Sequence, residues 1–264
     1  MTESFINVRR EGPITTVTIS RAARRNAITA PMMRDIERIS RGFADDEATR
    51  VVIIDADGAD FSVGADLRAP PSRSAEGTSL LMRRRAAELG AALMRALREI
   101  HQPTICAIQG VATGAGACIA TACDFRIASH GARLGYGEVK LVMNLMWNAL
   151  PLCVRLVGPA RAKQMIMTGK LFDAAQLERW GLVDEVVADV DLAARALAMA
   201  QDYAALPPIA VQMIKRSVDA VSGAMDAALM HMDADQWLLT TLSTDYREAV
   251  SAFLEKRPAA FKGN

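Results

Sequence analysis

The segment with the clearest chemical potential is Ala132-Arg-Leu-Gly135-Tyr136-Gly137-Glu138-Val139, a single carboxylate in a glycine-flanked loop. An exposed Glu in such a loop is merely solvated. Buried over a cleft, the same residue can serve as a general base, because desolvation raises its affinity for a proton. Two further segments share one form, an apolar strand followed by a glycine-rich turn. They are Phe61-Ser-Val-Gly64-Ala65-Asp66-Leu67 and the stretch from Gly110 to Cys118, which contains Gly114 and Gly116. Glycine there lets a backbone N–H face a cleft with no side chain in front of it. Two such N–H groups converging on one carbonyl oxygen would stabilise an enolate or oxyanion. Glycine-rich turns more often do no more than pack a strand against a helix, so spacing alone favours the plain reading. A fourth segment, Arg21-Ala-Ala-Arg24-Arg25-Asn26-Ala27, is a basic cluster just after a strand. It reads either as an exposed charged loop or as a phosphate-recognition site.

These segments need elements to position them. Residues 14–20 alternate β-branched and apolar types, a strand pattern, and 51–54 form a short apolar run expected to be a buried strand. Thr29-Ala30-Pro31 opens a helix, with Met33, Ile36, Ile39 and Phe43 recurring at helical spacing. Residues 58–78 are rich in Gly, Pro, Ser and Asp and read as loop. A long helix is expected over about 80–100, with Leu81, Leu89, Leu93, Leu97 and Ile100 on one broad face and Arg83, Arg84 and Arg85 near its start. Strands are expected at 104–108, 124–129, 132–134 and 183–187, with helices dominating from Pro159 to Lys256. Strands alternating with helices imply an α/β fold with crossovers.

Composition bounds the class. The chain has 264 residues, 51% hydrophobic and 23% charged, enough for a substantial core and inconsistent with wholesale disorder. Thirty-one Lys and Arg balance 30 Asp and Glu, which argues against a nucleic-acid or acidic membrane partner but permits a local site for a small anion. Cys106, Cys118, Cys123 and Cys153 form no C-x-x-C pair and read as buried free thiols of a reducing compartment. His101, His130 and His231 lack metal-ligand spacing. The first residues do not read as a signal peptide, and no apolar run reaches membrane-spanning length, so a cytoplasmic protein is expected. Two imitations are weak. Val51-Val-Ile-Ile-Asp55-Ala-Asp57-Gly58 resembles a phosphatase D-x-D-G, but Ala59 replaces the usual hydroxyl residue. Gly114 and Gly116 begin a dinucleotide-binding pattern whose last position is Ile119.

Together the four segments resemble the crotonase superfamily, the enoyl-CoA hydratase/isomerase family, from about residue 5 to residue 262. The run Cys123-Asp124-Phe-Arg-Ile-Ala, the stretch Leu156-Val-Gly158-Pro-Ala-Arg-Ala-Lys163 and the ending Ala252 through Phe261-Lys262-Gly carry the same resemblance. It implies a spiral of repeated ββα units over residues 1–200 and a helical oligomerisation region over 201–264, assembling as a trimer or dimer of trimers. It also implies an acyl-CoA thioester whose carbonyl oxygen lies between the N–H groups of Ala65 and Ala115. Arg24 and Arg25 would embrace the nucleotide, with Val63, Asp66 and Leu67 beside the pantetheine path. Phe261 and Lys262 would reach a neighbour's CoA. No metal or redox cofactor is implied, since coenzyme A arrives as part of the substrate.

Two departures from the hydratase pattern narrow the expectation. Family hydratases use two glutamates to position and deprotonate water. The second matches Glu138, but the first position holds Cys118, which as a protonated thiol binds water weakly and reads as a packed small residue. A Pro-Gly-rich stretch is replaced by Leu145-Met146-Trp147-Asn148-Ala149-Leu150, whose bulk would exclude water. Met146 and Trp147 are candidates for the acyl pocket and equally for the core. A single carboxylate suits proton shuttling between carbons, as in the one-glutamate Δ3,Δ2-enoyl-CoA isomerases of the family. A modified hydratase and a non-catalytic acyl-CoA-binding scaffold stay open beside it.

Overall fold

A computed structural model gives the fold of residues 4–68 and 78–264. Of the loop expected over 58–78, the 69–77 part lies outside the described residues. In chain order, β1 (Ile6–Glu11) and β2 (Ile14–Ile19) form a hairpin, followed by α1 (Ala30–Gly42), β3 (Val51–Ala56) and α2 (Leu80–Arg98). Then come β4 (Thr104–Ile108), β5 (Val111–Thr113), α3 (Ala115–Ala122), β6 (Phe125–Ser129) and β7 (Arg133–Gly135). A 3-10 turn at Glu138–Leu141 leads to α4 (Ala149–Val157) and α5 (Pro159–Thr168). The chain then passes through β8 (Phe172–Asp173), α6 (Ala174–Trp180), β9 (Glu185–Val187) and α7 (Leu192–Ala204). The remainder is helical: α8 (Pro208–Ser222), α9 (Ala227–Met230), α10 (Asp233–Thr241) and α11 (Thr244–Glu255).

The larger sheet has the order β1-β2-β3-β4-β6-β9, parallel except for the hairpin, and the smaller has the order β5-β7-β8. Successive units repeat one path. β4 joins the large sheet, β5 the small one, and α3 follows; β6, β7 and α4 do the same. β3 and α2 flank a degenerate version in which Ser62 bridges Ala112 in parallel. The resulting crossover spiral is the ββα architecture implied by the resemblance.

The apolar run of β3 follows from burial on both faces, as parallel strands require. Val52 and Ile54 enter the main core with Phe61, Leu93, Met94 and Ile119, while Val51 and Ile53 enter a second core roofed by Ala196, Ala200 and Ala204 of α7. The expected helix start is present: the Thr29 side chain accepts from Met32 N at 3.5 Å. Two expectations need correction. Helix α2 stops at Arg98, and its buried face begins only at Gly90, leaving Leu81 exposed and Leu89 half-buried. Its first turns instead face α10, where Arg84 pairs with Asp235 and Arg83 donates to Thr241 Oγ1 at 3.2 Å. Strand β1 gave no sequence signal because only Ile6 of its residues is buried. Among the described residues no helix is long and apolar enough to cross a membrane.

One buried amide fastens the basic loop to the segment that leads into the first glycine turn. Asn26, wholly buried, accepts from Arg21 N at 2.8 Å and donates to Asp57 O at 2.7 Å and Asp60 O at 2.8 Å. Asn26→Ala leaves these three backbone groups unpaired, so urea denaturation is expected to register a loss of about 2–4 kcal/mol.

Candidate active site

The smaller sheet brings three segments into register. Ser62 bridges Ala112, and Ala112 pairs with Leu134, all in parallel. Beyond that row each strand leaves the sheet at the same edge, carrying Gly64-Ala65, Gly114-Ala115 and Gly137-Glu138. Ligand crevices in α/β folds open at such carboxyl ends. The first segment is zipped to its neighbour by Phe61 N donating to Gln109 O (2.8 Å), Ser62 N to Val111 O (2.9 Å) and Thr113 N to Ser62 O (3.0 Å).

Both turns need glycine. Gly64 has φ +98°, and Gly114 has φ 53° with ψ −121°, a conformation other residues scarcely adopt. They face each other: a Cβ on Gly114 would stand 3.6 Å from Gly64 Cα and 3.5 Å from Glu138 Oε1. The following amides are unused. Ile28 N donates to Gly64 O and Asp66 N to Ile28 O, so this bridge passes over Ala65 without engaging its N–H. Ala115 opens α3, where the first N–H groups have no intrahelical acceptor. Among the described residues, neither N–H has a hydrogen-bond partner.

Glu138 begins its 3-10 turn beside these amides. The residue as a whole is half-buried, but Oε2 is closed off from solvent and has no partner. Burial raises its pKa from the ordinary 4.5 to about 7, outweighing a hydrogen bond from its own backbone N–H that acts the other way. Next to it, Tyr136 is fully buried and donates to Thr121 Oγ1 at 3.2 Å. Cys118, in the second turn of α3, is buried and free, and desolvation followed by the nearby Glu138 charge pushes its thiol pKa well up. It therefore remains protonated and leaves Glu138 as the ionisable group beside the two glycine turns.

The other predicted residues divide. Arg25 Nε is engaged by Asp60 Oδ2 at 2.6 Å although the arginine side chain remains largely exposed, and Arg21 pairs with Asp66 at 2.7 Å. Exposed Arg24 has no ion pair among the described residues. Val63 is half-buried and Leu67 exposed at the same edge. Leu145 and Met146 are buried, whereas Trp147 is half-buried. Phe261 and Lys262 are exposed on a tail folded against its own α11, where Lys262 N donates to Asp245 Oδ1 at 2.8 Å. That same α11 packs on the 3-10 turn of Glu138. Asp60 and Ser62 escaped the sequence reading. Asp60 accepts from Val111 N at 2.9 Å, and Ser62 Oγ donates to Asn26 O at 2.7 Å and accepts from Gly64 N at 3.2 Å. Neither carries a local signal, because the partners that reveal them, Val111 and Asn26, lie on other segments. The phosphatase-like Asp57 is a strand-end residue that accepts from Ser20 Oγ at 2.6 Å.

Comparison with known proteins shows the family. The profile of the enoyl-CoA hydratase/isomerase family matches residues 9–264. The chain belongs to that family. Its relatives include 1,2-epoxyphenylacetyl-CoA isomerase of Escherichia coli, 31% identical with 98% of each chain covered. Crotonyl-CoA hydratase of Syntrophomonas wolfei is also 31% identical, with 97% of each covered. Among solved structures, an enoyl-CoA hydratase/isomerase from Pseudoalteromonas atlantica superposes with TM-score 0.87 at 26% identity, covering 98% of this chain and 100% of that one. Enoyl-CoA hydratase/isomerase membership makes acyl-CoA thioesters the substrate class.

The buried carboxylate has a measurable consequence for stability. With its folded pKa near 7 against the ordinary 4.5, Glu138 holds its proton more tightly in the native state than in the unfolded chain. Its contribution therefore turns unfavourable as pH rises through that window. Glu138→Gln is expected to stabilise the fold by about 1–3 kcal/mol at pH 8, with the gap to the parent closing toward pH 4, as read by denaturant titration at each pH.

Proposed function

We propose that this enzyme isomerises 3-enoyl-CoA to 2-enoyl-CoA thioesters, with Glu138 as the single acid–base group. The supporting observation is the Glu138 carboxylate itself, with Oε2 closed off from solvent and without a partner, accompanied by a neutral thiol, Cys118, at the position matched to the first glutamate of the family's hydratases. The thioester oxygen accepts from Ala65 N–H and Ala115 N–H. Glu138 takes the C2 proton, the C2–H electron pair enters a dienolate, and negative charge gathers on the thioester oxygen between the two amides. The carboxylic acid then returns the proton to C4, restoring the thioester carbonyl and leaving the double bond between C2 and C3. A pKa of about 7 suits a group that must both accept and release that proton.

Coenzyme A would lie along the edge marked by Val63, Asp66 and Leu67. Arg24, with no ion pair among the described residues, would meet phosphate, and Arg25 would offer the nitrogens not engaged by Asp60. Neutralisation within the basic cluster makes Arg24 the stronger contributor. Helix α8 exposes Ile209, Met213, Ile214, Val218 and Val221, an apolar stretch suited to assembly as a trimer or dimer of trimers in which Phe261 and Lys262 approach a neighbour's CoA. Four buried free thiols accord with a cytoplasmic setting. Hydration is the second reading, favoured by relatives named hydratases.

The discriminating assay supplies purified protein with 3-enoyl-CoA and 2-enoyl-CoA substrates. Isomerisation is expected to dominate, with kcat/KM rising through a midpoint near pH 7 as Glu138 ionises. Glu138→Gln should lower it by roughly a thousandfold. Fast hydration of the 2-enoyl thioester that survives Glu138→Gln would overturn the single-base mechanism.

A further inference from the structure

The turn before α4 is unusual in its backbone. Trp147 (φ 63°) and Asn148 (φ 60°) are consecutive non-glycine residues in the left-handed region, an arrangement unfavourable for a bulky aromatic and retained only where surroundings enforce it. Two contacts enforce it here. From α10, buried Asp233 accepts from Asn148 N through Oδ2 at 2.6 Å. The Asn148 amide, in the orientation that satisfies it, donates to Met230 O at 3.1 Å and to Asp233 Oδ2 at 3.3 Å. From α2, Gly90 provides a notch: a Cβ there would lie 2.0 Å from Trp147 Nε1. Glycine is among the poorest helix formers, and this one occupies the middle of a long helix where the indole rests.

The turn also stands in the right place. Both α2 and α4 pack on α3, the helix that opens with Ala115 and carries Cys118. Cys118 lies within electrostatic reach of both Glu138 and Asp233. A thioester held at Ala65 and Ala115 would sit at the start of α3, the helix against which α2 and α4 pack, and α10 packs in turn on α2. Leu145 belongs to the main core and Met146 is buried, whereas Trp147 is only partly buried and packs against that core.

We propose that Trp147, seated on Gly90, is the wall that limits acyl-chain length, and that Asp233 is the positioning residue that holds it there. This rests on the acyl-CoA reading above but not on which reaction follows, so it is tested by binding. Butyryl-CoA and dodecanoyl-CoA, both saturated, are titrated calorimetrically into the parent and variants. Trp147→Ala should improve dodecanoyl-CoA relative to butyryl-CoA by roughly tenfold or more, the scale on which an apolar pocket discriminates added methylenes. Asp233→Ala should shift the ratio the same way. Asp233→Asn should leave it unchanged, since an amide oxygen still accepts from Asn148 N; a merely electrostatic role would move both. Trp147→Val carries the same test if the alanine variant does not fold. An unchanged ratio in the Trp147 variants, with both ligands bound, overturns the wall. Failure of every acyl-CoA to bind the parent overturns the reading beneath it and the wall together.

Discussion

A carboxylate with one oxygen shut away from solvent and unpartnered is the constraint on which this structure turns. An unpaired acid removed from water is unfavourable in its charged form, and Glu138 responds by holding its proton up to about pH 7. The surrounding fold must supply the stability to keep it there. It does so through β-strands whose alternate residues enter two separate cores, and through Asn26, Asp60 and Ser62, which lock the crossing segments to one another. The register Ser62–Ala112–Leu134 converts that rigidity into chemistry, since it sets two unused amides and one carboxylate at a single edge.

The neutral thiol at position 118 is the complement of this arrangement. A second carboxylate there would repel Glu138 and hold water; a buried protonated Cys118 does neither. The bulky stretch after Glu138 is apolar as well, with Leu145 in the main core and Met146 buried. The proposed preference for carbon-to-carbon proton transfer over hydration rests on this polarity as much as on the identity of the base.

Much of the fold was legible because its signals are local. The β3 run, the Thr29 cap and the glycine turns each announce themselves within a few residues. The site was legible in its members but not in its geometry. Glu138 on sequence alone is an ordinary loop carboxylate, and its burial depends on pairings with segments far away in the chain. For the same reason the pairing of Arg25 with Asp60, which weakens a cluster that looked uniformly basic, was invisible, as was the hold of Asp233 on Asn148. Strand β1 was missed for the opposite reason: as an edge strand with five exposed residues, it carries almost no apolar pattern.

Enolate formation at C2 is the central claim, and it can be read without knowing the physiological acyl chain. A saturated acyl-CoA is incubated with the protein in deuterated water, and mass spectrometry follows deuterium entering at C2. The account predicts exchange by the parent enzyme and its loss in Glu138→Gln, with acyl-CoA still bound. Exchange that persists in Glu138→Gln, or a parent that binds acyl-CoA without any exchange, would contradict it.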